Sequence, residues 1–254
     1  MMKIFILNSS GNVGKSLLAR ELFFPRLENC KIIEIETVNS GNSDFDSLNV
    51  SKYKADDDFT DIYMDILEND NVILDVGASN LALFWDKMSE FAGVDTIFDI
   101  FVVPTGVRAK LQEDTYKTIL FLQGEGIPNE KIKVIFNGVE NTVSEDFKML
   151  LSVDFDFDEE LFIRKNEVLF NDLGFLKKTI KDIFQEDVNY YKSLILNETD
   201  KKQKLLLIKT DLSNRQSATM KKQMDLVFEK VTGLESAWVV ENKGDNTDED
   251  DEDL

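Results

Sequence analysis

Residues 3–22, KIFILNSSGNVGKSLLAREL, constrain this chain more than any other stretch. Ile4, Phe5, Ile6 and Leu7 are a short apolar run of the kind that becomes a strand buried on both faces. Asn8 to Gly14 is turn-forming, and Lys15-Ser16 opens a helix with Leu17, Leu18 and Leu22 on one face. In that order, the loop's backbone N–H groups converge on an anion, aided by the positive end of the helix dipole. The residues around it are Ser10, Gly11, Asn12, Val13, Gly14, Lys15, Ser16 and Leu17. Lys15 then lies against the β- and γ-phosphates of a nucleotide, and the Ser16 hydroxyl takes one position on Mg²⁺. The position that usually carries the first glycine is Ser9. The alternative is a tight strand-to-helix turn that carries a lysine; Gly-Lys-Ser at a helix start behind a buried strand favours the nucleotide.

Histidine is absent from all 254 residues, which removes Ser-His triads, histidine bases and most zinc sites. Catalysis then rests on carboxylates, lysine, backbone amides and a hard metal ion, and phosphoryl transfer needs little more. The length suits one large α/β domain or one domain with an appendage. There is no run of about 18 apolar residues and no opening of the signal-peptide type, so no membrane span and no secretion signal are expected. A single cysteine, Cys30, forms no internal disulfide and suits a reducing cytoplasm.

The net charge of −20 is unevenly spread. Residues 1–174 carry 16 basic and 32 acidic side chains, residues 175–230 carry 12 and 8, and residues 231–254 carry 1 and 9. The last ten, DNTDEDDEDL, are expected to be a disordered, solvating end, with mimicry of nucleic acid as the sharper alternative.

Pattern along the chain predicts strands at Lys31–Glu36, Asn71–Gly77, Thr96–Val103 (closed by Pro104) and Ile132–Phe136 (ended by Asn137-Gly138). Helices are predicted at Phe59–Leu67, Leu81–Phe91 and Lys110–Gln123, and residues 41–58 as a long surface loop. Strands alternating with helices imply an α/β fold, a mostly parallel sheet flanked by helices with right-handed crossovers. Further on, Val153–Phe157 reads as an edge strand, Leu173–Leu196 as a helix with lysines outward, and Lys204–Lys209 as a strand. Ser213–Val231 reads as a helix and Ala237–Val240 as a last strand. The expected domains are a core over 1–170, a helical part over 171–243 packed on it, and an acidic tail over 244–254.

In an open parallel sheet, ligands collect at the carboxyl ends of the strands. Glu36, Asn39, Asp75 and Asn137 stand there. Asp75 follows four apolar or amide-bearing strand residues and precedes Gly77; it holds Mg²⁺ opposite Ser16, or serves as a helix cap or solvent-facing strand end. Glu36 either orients an attacking water or is a solvated carboxylate. Asn137 pairs with an adenine edge or caps a turn, and spacing alone favours the cap.

The stretch Ser10 to Ser16 resembles the deviant phosphate loop of the ParA/MinD family of P-loop ATPases. In that order of motifs, Glu36 resembles the acid after the second strand, Asp75 the Walker B aspartate and Asn137 the base-reading asparagine. Residues 6–16, Phe24-Pro25-Arg26-Leu27 and Glu36-Thr37-Val38-Asn39 are most similar to the plasmid-stability proteins of the StbB type. The resemblance covers roughly residues 1–170. It implies binding of ATP or ADP with Mg²⁺, slow hydrolysis through Lys15, Glu36 and Asp75, an ATP-dependent homodimer, and a partner protein in plasmid stability, partition or conjugative transfer. Two positions depart from the pattern: the signature lysine is Ser10 here, and the second loop glycine is Asn12. That bears on activation across a dimer and on hydrolysis itself. Arg108 offers a substitute charge, or is a surface residue at a helix start. The lysines of 175–230 read as a solvated face, with DNA or a partner as the minority reading. The acidic end disfavours a membrane-targeting helix. An ATP/ADP-binding scaffold with little hydrolysis and a small-molecule P-loop ligase or kinase are the competing readings.

Overall fold

Ile4, Phe5, Ile6 and Leu7 are fully buried and divide between two cores. Phe5 and Leu7 belong to one, Ile4 and Ile6 to the other. A strand with apolar cover on both faces belongs in mid-sheet, and β1 (Met2–Ile6) lies there. The other strands are β2 (Cys30–Ile35), β3 (Val50–Tyr53), β4 (Asn71–Val76), β5 (Ile100–Gly106), β6 (Ile132–Val139) and β7 (Phe162–Arg164). All pairings are parallel, in the order β3-β2-β4-β1-β5-β6-β7. The computed structural model describes residues 1–36, 41–55, 57, 59–187 and 189–238.

Helices cover both faces, as expected for an α/β fold. The first, α1 (Lys15–Leu17), continues as a π-helical segment over Leu18–Phe23 and a 3₁₀ turn over Phe24–Arg26. Next come α2 (Phe59–Glu68), α3 (Leu81–Ser89), α4 (Ala109–Gly124) and α5 (Val143–Asp146), which pack on the Phe5 face. On the Ile4 face lie α1 with its continuation, α6 (Glu167–Leu176), α7 (Ile180–Ile183) and α9 (Lys201–Thr232); α8 (Tyr190–Asn197) precedes α9. Met220, Met224, Val227 and Phe228 of α9 join the core of Ile4 and Ile6. Arg26 fastens that helix: it donates to the carbonyls of Glu21 and Leu22 at 2.8 Å and to Asp225 at 2.8 Å. Among the described residues no helix is long and apolar enough to cross a membrane.

Several sequence expectations are corrected. Residues 41–58 are not simply a surface loop: they hold β3, paired with β2 from Ile32↔Val50 to Ile35↔Tyr53, and Asn42 and Phe45 are buried. Ser51 and Lys52 disguise the strand because an edge needs no apolar cover. The fifth strand starts at Ile100, not Thr96, and runs through Pro104 to Gly106. The Pro104 carbonyl accepts the Asn8 side-chain amide, so the proline nitrogen faces the side where β1 has ended and no ladder bond is lost. Asn137-Gly138 does not end the sixth strand but forms a bulge inside it, with Gly138 at φ 78°. Val153–Phe157 is not a strand; Phe157 lies against Phe136 and Phe155 against Phe157, and the edge belongs to β7.

Leu173–Leu196 is broken into parts of three helices. Lys177, at φ 53°, ends α6, and a capping box at Thr179 and Asp182 starts α7. Lys204–Lys209 is helical rather than a strand. It lies within α9, which Asp200 caps by accepting the Gln203 N–H and Gly233 ends at φ 70°. Ala237 and Trp238 form no strand; Val239 and Val240, the acidic tail, and residues 37–40 with Asn39 lie outside the described residues.

Candidate functional site: a phosphate-type cleft

The loop after β1 is held from beneath by its own first side chain. Asn8 is buried; its amide donates to the Pro104 carbonyl at 2.8 Å and to Thr115 Oγ1 at 2.9 Å, while Oδ1 accepts the Ser10 N–H at 2.7 Å. The Ser10 hydroxyl donates to Asp114 at 2.5 Å, and Lys110 donates to the same carboxylate at 2.7 Å. Hydrogen bonds to Ser10 and Lys110 hold the Asp114 carboxyl below the usual carboxylate range. The loop is thus fixed to α4 before any ligand arrives.

Two residues turn the loop toward the helix start in left-handed conformations, Asn12 at φ 57° and Gly14 at φ 97°. Gly14 also has no room for a side chain: an added Cβ stands 2.1 Å from Asn137 Nδ2. That amide donates to the Val13 carbonyl at 2.9 Å. Gly14→Ala is therefore expected to lower stability by about 1–2 kcal/mol through backbone strain and to push Asn137 off Val13. Urea unfolding of Gly14→Ala, Asn137→Ala and the double variant checks this. The two losses should sum to more than the double variant shows, because removing Asn137 relieves the clash.

Lys15 folds back on this loop, with Nζ 2.9 Å from the Ser10 carbonyl and 3.4 Å from that of Asn8. Burial pulls its pKa below the ordinary lysine value, against the opposing pull of Asp75 and Glu36. Ser16 hydrogen-bonds the buried carboxyl of Asp75. Burial pushes Asp75 up to about 6; Ser16 and Lys15 lower it, and Glu34 and Glu36 raise it.

Register explains why these groups meet. Asp75 is the sheet partner of Ile6 on one side and of Glu34 on the other. Registered residues of parallel strands share a face, so both acids lie on the Ile4–Ile6 face, where α1 begins. Glu36 stands two residues beyond Glu34, beside Gly77; an added Cβ there is 2.4 Å from Glu36 Oε2. Asn80 Nδ2 donates to Glu36 Oε1 at 3.4 Å.

Together these residues line a cleft of about 580 Å³ that also includes Gly11, Gly41, Ala78 and Ser79, a volume in the range of small-molecule sites. Lys15, Ser16, Glu36 and Asp75 come together in it, as do Gly11, Asn12, Gly14 and Leu17 of the loop. Val13 and Asn137 face a neighbouring cleft of about 510 Å³ with Asn12, Leu17, Val107 and Arg108, on the α4 side of the loop. Arg108 is exposed at the N-cap of α4. Among the described residues no group of three or more His, Cys, Asp or Glu side chains is arranged to hold a metal ion. Ser16 and Asp75 offer two hard oxygens, which suits a cation such as Mg²⁺ that leaves its remaining positions to phosphate and water.

Sequence reasoning missed Asn8, Asp114 and Glu34. An acid within the apolar run Ile32-Ile33-Glu34-Ile35 was the available signal for Glu34. Glu34 is buried, and its Oε1 accepts the Asn42 N–H at 2.5 Å. From there buried bonds lead outward. Arg20 Nη1 donates to Asn42 Oδ1 at 3.3 Å and Arg20 Nε to Glu21 Oε1 at 2.8 Å, while Glu21 Oε2 accepts the Ile180 N–H of α7 at 2.9 Å. Tyr191 of α8 then donates to the Ile183 carbonyl at 2.7 Å. The π-helical turn that carries Arg20 and Glu21 thus ties the cleft to the C-terminal helices.

No protein-family model and no curated protein matches the sequence. Solved structures do. An ATP complex of McdA from Cyanothece superposes with a TM-score of 0.50 over 94% of this chain and 99% of that one, at 12% identity. The MinC:MinD cell division protein complex from Aquifex aeolicus gives 0.48 at 12% identity, over 84% of this chain and 95% of that one. A putative plasmid partition protein from Borrelia burgdorferi bound to AMPPNP gives 0.45 at 14% identity, over 83% and 98%. At such identities the likeness concerns the fold alone: the all-parallel, helix-flanked sheet of this chain is the fold of McdA.

Proposed function

We propose that this chain is a ParA/MinD-like ATPase, a nucleotide-dependent dimerising switch serving plasmid stability, partition or conjugative transfer, most like the StbB type. The observation that carries the reading is the cleft at the carboxyl ends of β1, β2 and β4, where Lys15, the Ser16–Asp75 pair and Glu36 meet beneath a pinned loop. Lys15 moves from the Ser10 and Asn8 carbonyls to the β- and γ-phosphates, exchanging neutral acceptors for charged ones. Loop N–H groups from Gly11 to Ser16 surround the phosphates. Ser16 and Asp75 would hold Mg²⁺, which would supply positive charge beside the phosphates. Glu36 orients the attacking water, and the base lies in the neighbouring cleft beside Asn137. The protein acts in the cytoplasm with a protein partner; any direct DNA contact would be confined to residues 175–230, whose lysines otherwise form a solvated face.

Sedimentation velocity with Mg²⁺ and ATP, ADP or no nucleotide tests the switch, beside phosphate release. A dimer formed with ATP alone is the expected result; one unchanged species in all three conditions refutes it. One observation favours a second reading, a nucleotide-holding scaffold with little hydrolysis. The Ser10 hydroxyl is engaged by Asp114 of its own chain, so that position presents no cation to a second copy. Tight ATP binding without phosphate release would select the scaffold.

A further inference from the structure

The first turns of α9 carry no fully buried side chain. Its buried positions begin at Thr210 and recur through Ser213, Ser217, Met220, Met224 and Val227 to Val231 on the sheet side. Helix α9 also meets α8, and before Thr210 its most covered apolar side chains, Leu206 and Leu207, are only half-buried. On this helix Leu205 and Leu212 are 56% and 54% exposed, and Ile208 is 38% exposed. Positions i, i+3 and i+7 fall on one helical face, so the three make a single stripe. Lys201 and Lys202 precede it by one turn, and Arg215, held by Asp211 at 2.9 Å, follows Leu212 by one turn. An apolar stripe with Lys201 and Lys202 before it and the Arg215–Asp211 pair after it therefore lies in the net-basic segment 175–230 of a chain of charge −20. Exposed aliphatic groups in such a row mark an interaction surface.

We propose that this face of α9 docks an amphipathic helix of a partner protein whose apolar i, i+3, i+7 side chains are bordered by Asp or Glu. The charges select this occupant. A second copy of this face brings lysines against cations in either direction: a parallel pair matches Lys201 with Lys201, and an antiparallel pair centred on Ile208 sets Lys201 against Arg215, whose charge Asp211 already meets. The chain's own acidic end supplies charge but no matching row, since Val239, Val240 and Leu254 are the only apolar residues of 239–254. A partner helix with acidic borders satisfies both requirements, burying the aliphatic row and meeting Lys201, Lys202 and Arg215.

The test is fluorescence anisotropy of the full chain with a panel of labelled synthetic helices of about 18 residues, five turns of helix. Each carries Leu or Ile at i, i+3 and i+7 in different registers with Glu borders, and each has a twin with Lys borders. The expected result is micromolar binding of at least one Glu-bordered helix, at least about tenfold tighter than its Lys twin, and a loss of about tenfold in Leu212→Ser. Leu212 is exposed, so unfolding of that variant should match the parent chain. In Lys201→Glu/Lys202→Glu the preference between twins should shrink or reverse, which separates charge matching from general adhesion. The proposal is overturned if no Glu-bordered helix binds better than its twin, or if Leu212→Ser leaves binding unchanged. It is also overturned if Leu212→Ser impairs binding to duplex DNA or phosphatidylglycerol vesicles and not to the helices.

Discussion

Lys15→Ala should lose about 3–4 kcal/mol of ATP affinity, a factor of several hundred, while binding adenosine almost as well as the parent chain. In the folded chain the Lys15 ammonium is buried and served by two loop carbonyls. Burial already depresses its pKa, so the charged form is destabilised until an anion reaches it. A polyphosphate supplies charge-assisted bonds that those carbonyls cannot match. Loss of the amine therefore falls on the phosphates and not on the base. Isothermal titration of ATP, AMP and adenosine separates the two effects. The loss should be largest for ATP, small for AMP and smallest for adenosine. Equal losses for all three would mean that Lys15 merely holds the loop together. Lys15→Arg should not rescue ATP, because a planar guanidinium does not occupy the place of a compact ammonium beneath the loop.

The second large effect concerns Asp75 and runs in opposite directions with and without ligand. Its carboxyl is pushed up to about 6 from an ordinary 3.8, first by burial and then by Glu34 and Glu36, against Ser16 and Lys15. A carboxyl whose folded pKa is raised contributes stability that is fully present below about pH 4 and lost as pH rises through about 6. A shift of about two units corresponds to roughly 2–3 kcal/mol. At pH 7.5 without nucleotide, Asp75→Asn should therefore be more stable than the parent chain by on the order of 2 kcal/mol, and near pH 4 the two should converge. With ATP and Mg²⁺ the order should invert, since the carboxylate that burdens the free protein is the oxygen a cation requires. In the parent chain, stabilisation by Mg²⁺ and ATP should grow from pH 5 to 7 as Asp75 ionises. Urea midpoints at pH 4.5 and 7.5, with and without the nucleotide, measure all of this. Destabilisation by Asp75→Asn at pH 7.5 without ligand would contradict it.

Such a site, with the Asp75 carboxylate disfavoured until a cation arrives, accounts for features that local reading took singly. Gly41 and Gly77 are placed where a Cβ would strike the Glu34 and Glu36 carboxylates. Both glutamates of the cleft thus have a neighbour trimmed to let them in. Glu34 also begins the buried chain of bonds through Asn42, Arg20 and Glu21 to α7. A buried ion pair such as Arg20–Glu21 adds little net stability, yet loss of one partner is costly, so the link tolerates few substitutions.

What the sequence determined by itself was whatever is local in the chain. Four consecutive apolar residues had to lie inside a sheet, and the Gly-Lys-Ser following them had to open a helix, because strand, turn and helix are contiguous there. The alternation of strands with amphipathic helices likewise fixed a mostly parallel α/β fold. Tertiary structure alone decided which strands became neighbours. The pairings Ile6↔Asp75 and Glu34↔Asp75 join residues far apart in sequence, and nothing in apolar runs such as Ile32-Ile33 or Val72-Ile73-Leu74 specifies their register. The short β3 was illegible because an edge strand keeps polar residues, and Pro104 in β5 because β1 ends just before it. Helix α9 was divided by pattern because its first turns bury no side chain fully: half-buried Leu206 and Leu207 stand between exposed Leu205 and Ile208, so the run has no period to show. Periodicity records which side of an element is buried, and only the assembled molecule supplies that side.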